Sequence, residues 1–180
     1  MLIPKVINFS QGRIILASFL FAIIAGTLLL SLPEARLVAI SFTDLLFTAT
    51  SSICVTGMDL VPMTVFTGFG KMIILCLIQV GGIGLMPLSF FFASLFLNLG
   101  MATQFIAGQI LDFERWGKIK TFLGRIIGVT FVIEVLGAML LYPTFRQTLP
   151  FDQAIFHAVF YSVSAFCNAG ITLTENSLIS

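Results

Sequence analysis

The sequence predicts an all-α membrane protein built from repeated units. Each unit is a long apolar helix, a short helix that enters the bilayer and turns back as a loop, and a second long helix. Three observations predict this. First, 58% of the 180 residues are hydrophobic and 9% charged, with a mean hydropathy of +1.10, too little polar surface to cover a water-soluble globule of this size. Second, uncharged or nearly uncharged runs at 14–32, 72–99 and 126–145 are of bilayer-crossing length. Third, a polar, glycine-bearing break occurs twice: Ser51-Ser52-Ile53-Cys54-Val55-Thr56-Gly57 returns as Ser164-Ala165-Phe166-Cys167-Asn168-Ala169-Gly170. Upstream, Phe47 falls on Phe160 in the same register, so one constant offset relates the two copies. Serine, cysteine and glycine matched at the same place in two copies of one hydropathy pattern are the mark of an internal duplication.

The same composition narrows function. A net charge of +1, with nine basic residues spread along the chain, excludes a strongly basic nucleic-acid binder. Cys54, Cys76 and Cys167 lack the paired spacing of a zinc site or a disulfide framework and are expected to be packed thiols. Lys5 and Arg13 precede the first apolar run without a small-residue cleavage site after it, which predicts an uncleaved first helix.

In chain order, the run 14–32 is uncharged and closed by Pro33, and at about 1.5 Å per residue it just crosses a core of roughly 30 Å. The stretch 41–52 carries Asp44 where the first turn of a helix would place a favourable negative charge. Asp59 follows Asp44 too soon for a full span between them, so an element entering here must stop at mid-depth and return. Irregular backbone survives at that depth only where it lines a cavity, which predicts a pore helix followed by a filter loop. The segment 59–70, with Pro62 and two glycines, is a connection into the run 72–99, where Pro87 should kink a second spanning helix. Gln79 and Gly81-Gly82-Ile83-Gly84 lie inside that run, without the preceding strand that a nucleotide-binding loop needs; close packing of helix backbones is the favoured reading.

The polar segment 98–120, with Trp116, reads as an interfacial loop. The run 126–145 is the third spanning helix and carries Glu134 at its centre. A carboxylate there costs about 3 kcal/mol by insertion scales, so it should face protein or water. It would serve as a charge near the pore or, favoured two to one, as a hydrogen-bonded tie to a neighbouring short helix. Asp152 opens the second short helix, and His157, at the position of Asp44 in the first copy, reads as a helix-start or interface residue. The stretch between Asp152 and Glu175 holds no carboxylate, lysine or arginine, so a fourth full span competes with the duplicated loop. The cysteines, Glu134 and His157 form no catalytic set, and an enzyme is the weakest reading. With the N-terminus cytoplasmic, Lys5, Arg13, Arg115, Lys118, Lys120 and Arg125 fall inside, and Arg36, Lys71 and Arg146 outside. Both loops then open outward.

A potassium ion leaves water only where oxygens replace its hydration shell, and successive backbone carbonyls do so without fixed charge. Gly57 and Gly170 supply the backbone freedom to aim carbonyls together, and the C-terminal dipole ends of the short helices favour a cation. The motifs 48–57, Leu77-Ile78-Gln79-Val80-Gly81-Gly82-Ile83-Gly84, Glu134 with Gly137, and 160–170 resemble the Trk/Ktr/HKT superfamily of potassium transporters over nearly the whole chain. The resemblance implies a potassium-channel-like fold, one pore formed by four consecutive units, each with one filter glycine. It places Val55, Thr56, Gly57, Asn168, Ala169 and Gly170 in the first two quarters of a potassium filter, with Gln79 and Glu134 in support. It also implies potassium as substrate, no bound cofactor, a multi-pass location in the cell membrane, a cytosolic nucleotide-binding regulatory subunit and a homodimer. The unit boundaries are expected at 1–111 and 112–180. The second unit stops before its last helix, and half a filter cannot enclose an ion, so a fragment or a truncated gene is expected. A non-conducting scaffold and a secondary transporter with re-entrant loops are the alternatives.

Overall fold

The computed structural model describes residues 11–84 and 116–173. Five helices follow in order: α1 (Gln11–Leu30), α2 (Phe42–Cys54), α3 (Gly68–Ile83), α4 (Trp116–Arg146) and α5 (Phe151–Phe166), with 3₁₀ turns at Pro33–Ala35 and Met63–Val65. Among the described residues no strand is present, only an isolated antiparallel bridge between Arg36 and Phe66.

Each boundary has a local cause. Ser31 closes α1 by returning both its N–H and its hydroxyl to the carbonyl of Thr27, and Pro33 then occupies the start of a 3₁₀ turn, where its missing N–H is not needed. Asp44 sits in the first turn of α2 and Asp152 in that of α5, each beside the positive end of the helix dipole. The Thr67 hydroxyl caps α3 by accepting from Gly70 N at 3.1 Å, an interaction of about 1 kcal/mol.

Two departures from the sequence reading stand out. Helix α3 starts at Gly68 and ends at Ile83, because Gly84 at φ 90° leaves the helical region; Pro87 and the rest of the expected 72–99 span lie outside the described residues. Trp116, expected in an interfacial loop, lies in α4. Pro143 lies in the last turn of α4, inside the expected span 126–145.

Helix α4 contains the one segment among the described residues that is long and apolar enough to cross a bilayer, Gly124–Arg146. Its outward side chains are apolar, with Leu140 80% and Met139 65% exposed, as suits a surface that meets lipid. With 13 and 16 residues, α2 and α5 reach about 20 and 24 Å, short of the roughly 30 Å a span requires. The competing fourth full span is therefore absent, since α5 stops at Phe166.

Helices α1, α2 and α3 pack on one another, α4 packs on α5, and α3 also touches α5. One buried core runs through both groups, from Leu45, Ile53 and Ile74 to Phe160 and Ile171. At one end the two linkers that flank α2 are clasped together. Leu37 N donates to Val65 O (2.8 Å), Thr67 N to Ala35 O (3.1 Å) and Thr67 Oγ1 to Glu34 O (2.7 Å). The approach is so close that a Cβ at Gly70 would fall on the Ala35 carbonyl oxygen.

Candidate functional site

The two short helices end on loops with the same backbone signature. After α2, Val55 adopts φ 55° and Gly57 φ 73°; after α5, Asn168 adopts φ 58° and Gly170 φ 69°. Among the described residues these two pairs and Gly84 are the only positions at positive φ, and the pairs are related by the same offset as the serines and cysteines before them. Glycine suits this region freely and asparagine tolerates it, but a β-branched residue is a true outlier there. Sequence reasoning placed Val55 and Asn168 in the loops but not their left-handed conformation; for valine, propensity argues the wrong way.

Hydrogen bonds from the last helical turn hold each loop. The Ser51 carbonyl accepts from Thr56 N (3.0 Å) and the Ser51 hydroxyl from Met58 N (3.1 Å), with Thr56 Oγ1 3.1 Å from the same hydroxyl. In the second loop the Ser164 carbonyl accepts from Ala169 N (2.7 Å), and the Ser164 hydroxyl donates to Ile171 O (2.9 Å). Tyr161 OH accepts from Leu173 N at 3.2 Å, steadying the segment that leaves the loop.

The loops lie against each other. A Cβ at Gly57 would fall on the carbonyl oxygen of Ala169, whereas one at Gly170 would meet nothing within 4 Å. Ala169 is buried, and Thr56, Asn168 and Gly170 are exposed. The structure thus brings Gly57 and Ala169 into contact, and the carboxyl ends of α2 and α5 both deliver their negative dipole ends to this region.

Helix α3 backs both loops. A Cβ at Gly81 would strike the Ile53 carbonyl oxygen, and one at Gly82 would strike Cys167 Sγ, with Cys167 Cβ at 2.6 Å. The glycine run inside the membrane stretch therefore serves close packing, and what it packs against is the end of each short helix. Cys167 is the half-buried thiol of the three; Cys54 and Cys76 are exposed in this chain, which corrects the expectation of packed thiols.

Gln79 and Glu134 meet, with Gln79 Nε2 donating to Glu134 Oε2 at 3.0 Å. Glu134 is buried, and the carboxylate ties α4 to α3 rather than to a short helix. The link from α4 to the short helix α5 runs through its backbone instead, where Ser162 Oγ donates to Glu134 O at 2.6 Å. Gly137 leaves room for that serine, since a Cβ there would meet Ser162 Oγ. Gln79 and Glu134 also line an apolar crevice of about 600 Å³ between α3, α4 and α5. His157 stands among Phe145, Phe156 and Tyr161, an interface residue of α5.

Comparison with known proteins gives the family. The model of a family described as TrkH, cation transport protein, matches residues 7–180. The Ktr system potassium uptake protein B of Vibrio alginolyticus is 37% identical over 172 residues, 94% of this chain and 38% of that protein. The potassium/sodium uptake protein NtpJ of Enterococcus hirae is 32% identical over 175 residues, 95% of this chain and 39% of that protein. The Ktr system potassium uptake protein B of Bacillus subtilis is 29% identical over 178 residues, 98% of this chain and 40% of that protein. The chain thus spans about two fifths of the length of these relatives. A helical chain with two matched loops, whose sequence the family model covers almost from end to end, belongs to the TrkH family of cation transport proteins.

Proposed function

We propose that this chain forms part of a potassium uptake protein of channel-like architecture and supplies two of four filter segments. In this reading α1 to α3 with their loop form the first helix, pore-helix, helix unit (1–111), and α4, α5 and their loop belong to the second (112–180). Val55, Thr56 and Gly57 lie beside Asn168, Ala169 and Gly170 along the ion path, and their backbone carbonyls replace the water around a potassium ion. Gln79 and Glu134 support the site from behind by locking α3 to α4.

The observation that carries the reading is the pair of left-handed residues repeated at 55/57 and 168/170, each at the carboxyl end of a helix too short to span. Backbone forced into that shape twice, at matched positions and in mutual contact, is costly unless the carbonyl directions matter.

The names of the relatives, potassium or potassium/sodium uptake proteins, support the substrate. A cell-membrane location with a cytoplasmic N-terminus, a cytosolic nucleotide-binding regulatory subunit and a dimer belong to the same proposal. The test is uptake of rubidium and sodium by the full-length protein carrying Gly57→Ser or Gly170→Ser. Potassium selectivity should fall in both while expression persists; unchanged preference in both rejects the reading. For the orientation, a Lys118→Cys protein should resist a membrane-impermeant thiol reagent applied to intact cells, and labelling would reverse it.

A further inference from the structure

We propose that Ser51 and Ser164 are the positioning residues of the two loops, each stapling the last turn of its short helix to the far side of the loop. The inference rests on the filter reading above.

Each serine holds its loop twice. Its carbonyl takes the N–H five residues on, and its hydroxyl bonds the backbone seven residues on, at Met58 in the first loop and Ile171 in the second. The staple closes over both left-handed residues, the fourth and sixth after the serine. Any residue can offer the carbonyl, but the second bond needs a short hydroxyl at that one position.

The ordinary behaviour of a helical hydroxyl is different, and α2 shows it three times. Thr48 bonds back to Asp44 O (2.8 Å), Thr50 to Leu46 O (2.7 Å) and Ser52 to Thr48 O (2.7 Å), each one turn toward the N-terminus. Ser51, between them, has its hydroxyl bonded forward to the loop. Both stapling serines are buried, at 4% and 3% exposure, where an unmade bond is expensive.

The two staples have opposite polarity. Ser51 Oγ accepts from an amide N–H, and Ser164 Oγ donates to a carbonyl. The Ile171 carbonyl is thereby committed to α5, so the run of carbonyls free to face an ion ends at Gly170. Ile171 is buried (1%) and Met58 exposed (57%), so water can replace the first staple but not the second.

The experiment compares Ser164→Ala, Ser51→Ala and, as control, Ser52→Ala in the full-length protein, reading the rubidium-to-sodium uptake ratio and thermal stability in detergent. Ser164→Ala should lower the ratio about tenfold and Ser51→Ala about threefold. Ser164→Thr, which keeps the hydroxyl, should recover most of the ratio, and Ser52→Ala should leave it unchanged. If Ser164→Ala does not accumulate, Ser51→Ala decides. An unchanged ratio in the alanine variants, with Gly57→Ser and Gly170→Ser still altering it, overturns the staple and leaves the filter standing; unchanged ratios in all four overturn both. A shift in Ser52→Ala equal to that in Ser51→Ala assigns the effect to packing and also rejects the staple.

Discussion

Gly57 and Gly170 have almost the same torsion but live in different surroundings. Gly57 is required twice, by its φ of 73° and by the Ala169 carbonyl that occupies the place of a Cβ; Gly170, at φ 69°, is required by torsion alone in this chain. Their neighbours differ as well. The first loop forces a valine into the left-handed region, at a cost of about 1–2 kcal/mol, whereas the second uses an asparagine that accepts it. One backbone path is thus reached by two chemistries. What the copies share is the hydrogen bonding from a serine and the position of a glycine, so the path is dictated from the end of the helix and not by the side chains along the loop.

Variants can break or sharpen that contrast. The largest effect is expected at Gly57→Ala, whose methyl must displace the Ala169 carbonyl; the rubidium-to-sodium uptake ratio of the full-length protein should fall further than in Gly170→Ala, whose methyl meets nothing within 4 Å. An equal fall in both would erase the difference between the loops. Next come the glycines of α3. Gly81→Ala presses on the first short helix and Gly82→Ala on the second, each by overpacking of about 1–3 kcal/mol, read as a fall in unfolding temperature in detergent. Gly82→Ala combined with Cys167→Gly should lose less stability than the sum of the two changes, since the colliding atoms are gone.

A smaller effect, about 1 kcal/mol of destabilisation, is expected when Asn168→Val gives the second loop the residue type of the first; Asn168→Gly should be neutral or mildly stabilising. If Asn168→Val costs nothing, valine is at ease in this turn and the strain assigned to Val55 is wrong. The smallest effect is expected at Glu134→Gln, which can still accept from Gln79 Nε2 and should stay within about 1 kcal/mol of the parent stability. Glu134→Leu, which leaves that amide unpaired, should cost more in the same unfolding measurement.

Much of this was legible in the residues. Asp44 and Asp152 mark the starts of the two short helices because a carboxylate is favoured at a helix's positive end, and the serine and glycine spacing marks their loops. The interruption of α3 at Gly84 was not legible, because a glycine in an apolar run reads equally as a packing residue. The helical state of Trp116 to Lys120 was hidden by the charges around it, which suit a helix leaving the membrane as well as a loop. The positive φ of Val55 runs against its own propensity, and bonds to Ser51 from Thr56 and Met58 hold the loop around it. The roles of Gly81 and Gly82 depend on Ile53 and Cys167, partners brought up by distant parts of the chain, so no local pattern announces them.

The clasp between the linkers that flank α2 also bears on the order of assembly. It joins Thr67 to Glu34, 33 residues apart, and encloses α2 with its loop, whereas the contact of Gly57 with Ala169 spans most of the chain. Short closures lose less chain entropy, so we expect the clasp to form first. Nascent chains arrested soon after α3 should then already show a protease-resistant first unit, and a Thr67→Ala change should delay it. The first loop would thus be the template already in place when the second arrives, and synthesis from the N-terminus would give the two halves unequal parts in making their shared surface.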